Sequence, residues 1–349
     1  MPDIVELQKT LVDAAWPSGF ERGAAKTIRA IVEPLCDEVY SDTLGNLICR
    51  KKGPGPKVVF PAHMDVLGLI ITGIGEDGYA AFDTIGGFDT TDLTSAPFVL
   101  ENGMAASVGI RGKAKPATKS LSDLRDKTDL YLDIGTVSKA ETEKYLEPGM
   151  VAKYATNPHR LGDDEIVTPY ADNLMSCNAL IQALYLLEGK QTANDCYFVF
   201  SVQEEVGLRG ARANAFAIKP DYCVVLDGTH TNDAASDSRK VGSKLGGGAA
   251  LKVADSSLLA NKQVTDFLRG IAVKAGIPWQ DDVMVGGGTD GEEYQKTPGG
   301  CLTSGISVPM RDIHTSLETV SETDVKNVAA LVAETALTRF PDVKPEVRK

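Results

Sequence analysis

The chain lacks several features that would fix its class at once. None of its six cysteines falls in a CxxC pair, so it carries neither a zinc knuckle nor a dithiol redox motif. Cys36, Cys49, Cys177, Cys196, Cys223 and Cys301 mostly sit in apolar segments and read as small buried hydrophobes. No run of about 18 apolar residues is available to cross a bilayer. The opening stretch, MPDIVELQKTLVDAAW, has early acids and no apolar core, which argues against a signal peptide. Positive charge is scarce, with 36 Lys and Arg against 48 Asp and Glu, a net charge of −12. That balance disfavours nucleic acid and anionic membrane surfaces. No internal repeat or low-complexity segment appears. The expectation is a soluble, cytoplasmic protein.

What the chain does have is length and apolar content. Its 349 residues, 43% of them hydrophobic, suffice for a large core built as two domains or as one α/β unit with an insertion. Ile4, Leu7, Leu11 and Ala15 form a helical stripe, and Glu21 to Leu35 reads as a second helix. EVYSDTLGNLICRK reads as two strands around a glycine turn, and KVVFPAHMD as a buried strand ending in His63 and Asp65. From Gly68 to about Arg160 the helical rhythm gives way to short alternating runs punctuated by glycine. This stretch reads as an inserted β domain (68–160), with a hairpin at GEDGY and one short helix capped by Ser138. Strands and helices then alternate to the end of the chain, so residues 1–67 and 161–349 are expected to form one discontinuous domain. Its core is a helix-covered, mixed, mostly parallel sheet. The last helix carries Ser321 as N-cap with Asp324 three residues on.

The chemistry gathers at the ends of apolar runs. CYFVFSV stops at two adjacent acids, Glu204 and Glu205, with Gly207 just beyond. Similar runs end at His63 and Asp65, at Asp227 and at His314, and Asp172 stands at the entry to a long helix. In open α/β sheets, ligands bind beyond the carboxyl ends of strands. Two imidazoles and several carboxylates suit zinc, cobalt or manganese. A carboxylate between two such ions can bridge them at about 3.5–4 Å. If His63 and Asp65 lie on one strand they share a face, and Asp65 can fix the imidazole tautomer. Glu204 and Glu205 would point apart on a regular strand, so both reach one site only if the chain turns between or just before them.

Taken singly, each residue has a plainer reading. His63 and His314 could be ordinary histidines, Asp172 a helix N-cap, and the glutamate pair a solvated strand end. His230 is a candidate for an accessory role, and His159 reads as a surface loop residue. GGGTDG lacks the Lys-Ser/Thr ending of a phosphate loop. It reads as backbone packed beside a cleft, with Thr289 and Asp290 as candidates to touch substrate.

The segments AHMDVLG, TPYADN, VQEEVGLRGA, VVLDGT, GGGTDG and ISVPMRDIHTS run in this order over residues 62–316. As an ordered set they resemble the M42 family of metallo-aminopeptidases, the glutamyl-aminopeptidase or deblocking-aminopeptidase group. The resemblance implies a zinc-peptidase-like α/β fold with an inserted β-barrel-like domain used in assembly. It implies two divalent metal ions per subunit, zinc foremost, with cobalt or manganese as alternatives. His63 and Asp227 would bind one ion, Glu205 and His314 the other, and Asp172 both. Glu204 would be the general base and acid, and Asp65 would orient His63. Peptide substrates would lose their N-terminal residue, and the protein would be a homo-oligomer, from dimer up to dodecamer. The sequence departs from the family pattern at Val66, Leu174 and Asp312, and GKAKPATKSLSDLRD lacks a histidine often found there. None of these touches the expected ligands or base. Two rival readings stay open: a glycoside hydrolase using carboxylates, which leaves the two histidines idle, and an inactive metal-binding scaffold.

Overall fold

The computed structural model describes residues 1–111, 127–231 and 242–342; the stretch GKAKPATKSLSDLRD lies outside them. Helices α1 (Ile4–Ala14) and α2 (Arg22–Val32) open the chain. The Asp3 carboxylate caps α1 by accepting from the Val5 and Glu6 amides. Strands β1 (Glu38–Ser41) and β2 (Leu47–Lys51) form the expected hairpin, and β3 (Lys57–His63) follows.

The β-rich stretch contains β4 (Gly68–Ile74), β5 (Ala80–Ile85), β6 (Pro97–Leu100), β7 (Ala105–Ile110), β8 (Leu130–Asp133) and β9 (Val151–Tyr154). They close into a six-stranded barrel in the order β4-β5-β8-β7-β6-β9. Two single-turn helices, α3 (Thr90–Leu93) and α4 (Lys139–Thr142), decorate it. Ser138 stands at the N-cap of α4, but its hydroxyl makes no capping bond. Strand β10 (His159–Leu161) already pairs with β11 (Glu165–Thr168) in the large sheet, so His159 is an exposed strand residue rather than part of a loop.

The remaining elements are α5 (Ala171–Leu186), β12 (Asp195–Ser201), α6 (Arg209–Ile218), β13 (Tyr222–Val225), β14 (Gly228–His230), β15 (Ala249–Ala254), α7 (Lys262–Ala275), β16 (Trp279–Val283), α8 (Gly291–Gln295), β17 (Leu302–Arg311), β18 (Glu318–Ser321) and α9 (Glu322–Leu337). The large sheet runs β1-β2-β12-β3-β13-β17-β18-β11-β10, with β14, β15 and β16 branching from β17. Parallel pairing is concentrated at its centre, where β12, β3, β13 and β17 are consecutive parallel neighbours. The flanks are antiparallel.

The unbroken apolar run of β12 follows from burial on both faces. Phe198 and Phe200 point into the core under α5 and α9, while Tyr197 and Val199 face a second core covered by α6 and α8. Phe198 stacks on Phe60 of β3, ring centroids 5.2 Å apart. Because the four central strands are parallel, their C-terminal ends open on one edge. There His63 and Ser201, the last residues of β3 and β12, stand side by side in register.

Candidate active site

At this edge five loops leave the sheet. Strand β12 stops at Ser201, and Gln203 adopts a left-handed φ of +56°. The turn therefore falls just before the two glutamates, which lets both Glu204 and Glu205 face one cavity. The carboxylate of Asp65 holds this turn: Oδ1 accepts from the Glu204 amide at 3.0 Å and Oδ2 from the Glu205 amide at 3.2 Å. Oδ2 also accepts from the Ser18 hydroxyl at 2.7 Å.

Strand β3 ends at His63, so strand alternation is not what brings Asp65 to the imidazole. The nearest acceptor to His63 Nδ1 is the Asp65 carbonyl oxygen at 3.2 Å, with carboxylate Oδ1 at 3.5 Å. Either contact leaves Nε2 facing the cavity.

Asp172 lies where α5 begins, but it caps nothing. Its backbone is non-helical, the helix is entered through Tyr170 at φ +59°, and the Asp172–Asn173 peptide is cis. The carboxylate reaches across the cavity instead. Oδ1 lies 3.1 Å from His63 Nε2, and Oδ2 lies 3.6 Å from His314 Nε2. On one side, His63 Nε2 is also 3.8 Å from Asp227 Oδ1 and 3.9 Å from Glu204 Oε2. On the other, His314 Nε2 is 3.7 Å from Glu205 Oε2. The donor atoms of His63, Asp172 and Asp227 all lie within 4.8 Å of one another, as do those of Asp172, Glu205 and His314, and those of His63, Glu204 and Glu205.

One residue at this site gave no signal in the sequence. Glu318, the first residue of β18, is buried, and its two oxygens accept from the Asp172 amide at 2.8 Å and the His314 amide at 2.7 Å. It ties two otherwise unrelated loops together from behind. An acid at the start of a β-branched strand reads as exposed, and only the tertiary fold buries it.

Seven titratable groups crowd this space, and they perturb one another. Burial pushes Glu204 and Asp227 well above the usual carboxylate range, and neighbouring carboxylates add to it. Burial and the charge on Asp172 push Glu205 up to about 7. Burial opposes charge on Asp172 too, but its contacts with the two imidazoles hold it below the usual range. His314 rises to about 10 against the effect of burial, through Asp172 and Glu205. Buried Glu205 Oε1 has no hydrogen-bond partner. A pocket of oxygen and imidazole donors, with negative charge in excess and an unpartnered carboxylate oxygen, fits divalent cations.

The cavity has a volume of about 190 Å³ and is also lined by Gly228, His230, Met284, Gly287, Gly288 and Ile313. Thr289 and Asp290 are not on its wall; both are buried, and Asp290 takes the Ser201 hydroxyl as donor. Val66 and Leu174 are core residues, and Asp312 is an exposed turn residue at φ +57°.

A family model described as M42 glutamyl aminopeptidase matches residues 45–331. The chain is 33% identical over 335 residues to the lysyl aminopeptidase of Pyrococcus furiosus, covering 93% of this chain and 94% of that protein. Its structure is similar to aminopeptidase APDkam598 from the archaeon Desulfurococcus kamchatkensis, with a TM-score of 0.90 at 31% identity over 96% of this chain and 94% of that one. It is also similar to the Pyrococcus horikoshii TET1 peptidase, which can assemble into a tetrahedron or a large octahedral shell. There the TM-score is 0.87 at 27% identity, over 96% and 99% of the two chains. The chain belongs to the M42 glutamyl aminopeptidase family, and it is an aminopeptidase that hydrolyses peptide bonds.

Proposed function

We propose that the enzyme removes N-terminal residues from peptides at a centre holding two divalent ions, with Glu204 as the proton carrier. The observation that carries this reading is the placement of Asp172, whose two oxygens face the imidazoles of His63 and His314 from opposite sides. His63 and Asp227 would hold one ion, Glu205 and His314 the other, with Asp172 shared. Zinc suits this donor set, and cobalt or manganese would also bind. Such ions supply Lewis acidity toward the scissile carbonyl and bring water to a pKa near neutrality.

The chain's own residues do the rest. Glu204 is the one carboxylate of the cavity left over once those five ligands are assigned. It takes a proton from the attacking water and returns it to the leaving amine, so no net charge accumulates. Asp65 keeps Glu204 in place through its backbone amide and leaves the His63 Nε2 lone pair free for a cation. Glu318 holds Asp172 and His314 at a fixed separation.

Glu204→Gln tests the assignment. The variant should retain bound metal by elemental analysis and lose turnover by about 10²–10⁴-fold. Full activity in it would remove Glu204 from the mechanism. We further propose that the protein is a homo-oligomer between dimer and dodecamer in size, as the assembly of the P. horikoshii relative suggests. Light scattering would read a monomer if this is wrong.

A further inference from the structure

The wall of the cavity sorts into two sets. His63, Asp172, Glu204, Glu205, Asp227 and His314 are absorbed by the reading above. Gly228, His230, Met284, Gly287, Gly288 and Ile313 are not. Among the described residues, this second set contains no Lys, Arg, Asp or Glu. It therefore offers no opposite charge to a charged side chain entering the cavity.

The arrangement around Met284 is defined by the backbone. Gly286 and Gly287 both have left-handed φ, +96° and +69°. A Cβ built on Gly287 would come within 2.8 Å of Met284 Cε, so the thioether lies directly over the glycine backbone. A side chain at position 287 would push it away. Ile313, partly buried in the turn that delivers His314, lines the same cavity. A flexible thioether and a branched alkyl group make an adaptable apolar surface. The catalytic set is also balanced when loaded: the carboxylates Asp172, Glu204, Glu205 and Asp227 would offset two doubly charged ions.

We propose that Met284 and Ile313 form the pocket for the substrate's N-terminal side chain, and that it selects uncharged, apolar residues of the leucine and methionine class over lysine or glutamate. This deepens the aminopeptidase reading and rests on it. A charged side chain placed here would be desolvated without a partner among the described residues, while an aliphatic one would bury its surface.

The test uses the metal-loaded protein with aminoacyl-p-nitroanilides of Leu, Met, Lys and Glu. Leu and Met should exceed Lys and Glu in kcat/KM by about tenfold or more. Calorimetric titration with free L-leucine, L-lysine and L-glutamate should rank the three in the same sense without relying on turnover. Met284→Lys should raise the Glu-to-Leu ratio of kcat/KM by about tenfold, and Ile313→Lys, in the same lining, should move it in the same direction. Turnover with Lys or Glu preferred in the wild type would overturn the pocket assignment and leave the aminopeptidase reading intact. An unchanged ratio in both folded variants would do the same. Absence of turnover on all four substrates would overturn the aminopeptidase reading itself, and the pocket assignment with it.

Discussion

Glu204 and Glu205 are chain neighbours with different surroundings. Glu205 has Asp172 and His314 against it, and Glu204 has His63 and Asp227. The turn at Gln203 makes this division possible, and the Asp65 carboxylate holds that turn. The need for a turn could be read from the sequence, because alternation forbids two adjacent strand residues from sharing a site. Asp65 as its anchor could not, since that depends on two loops meeting. Glu318 was invisible for the same reason. Glu318→Gln leaves one oxygen to serve two backbone amides, so one loop loses its tether. Loss of such a supporting contact costs about 10–100-fold in metal affinity, to be measured by chelator competition, with far-UV circular dichroism unchanged. An unaltered affinity would show that the loops hold their separation without it.

The same residues set a pH dependence. A metal held as proposed would have to displace the protons on Glu205, whose carboxyl is pushed up to about 7, and on His314, raised to about 10. Both values are raised, so both groups carry protons at pH 6, and Glu205 loses its proton as pH passes 7. Metal affinity should therefore rise with pH, by about tenfold per unit for each proton released. Calorimetry at pH 6 and pH 8, in buffers of different ionisation enthalpy, would count those protons. An affinity independent of pH would mean that the ligands are already deprotonated.

At the scale of elements, the strand ends were legible because each apolar run stops abruptly at a polar residue. The four central strands are fully covered, and their sequences show it. The short elements β14, β16, β18 and α8 were missed, being too brief for any periodicity to show. Another feature hidden from the sequence is the joint between the barrel and the end of α1. Lys153 on β9 points away from the barrel, and its ammonium donates to the carbonyls of Val12, Asp13 and Ala15 at 2.7, 3.0 and 2.8 Å. These are among the carbonyls that the end of α1 leaves without helical partners, and the Trp16 ring lies 4.8 Å from the same ammonium. Lys153→Met keeps the stem but abandons three carbonyl acceptors, two of them buried. It should lower stability by about 1–3 kcal/mol, read as a drop in thermal midpoint with kcat unchanged. An unshifted midpoint would mean that water replaces the ammonium without loss.

At the scale of the molecule, the core and the proposed metal centre draw on separate parts of the sequence. The core clusters lie along both faces of the sheet, and Phe60 and Phe198 are completely buried three residues before their strands end. The site occupies that edge alone. A sheet of this size does not need cations to stay folded, unlike small domains built around a structural metal. Without cations, the crowded acids can relieve their repulsion by holding protons, as the raised values of Glu204, Asp227 and Glu318 indicate. Chelation should therefore abolish peptidase activity while far-UV circular dichroism stays the same. Stability should fall only by the binding free energy that excess metal contributes, about 2.7 kcal/mol per ion at one hundred times its Kd, with a matching drop in thermal midpoint. Activity should return when zinc, cobalt or manganese is added back. Unfolding on chelation would make the ions structural, and activity that survives chelation would point to a carboxylate hydrolase instead. Loss of activity in a chain that keeps its fold would separate the chemistry of the edge from the stability of the sheet.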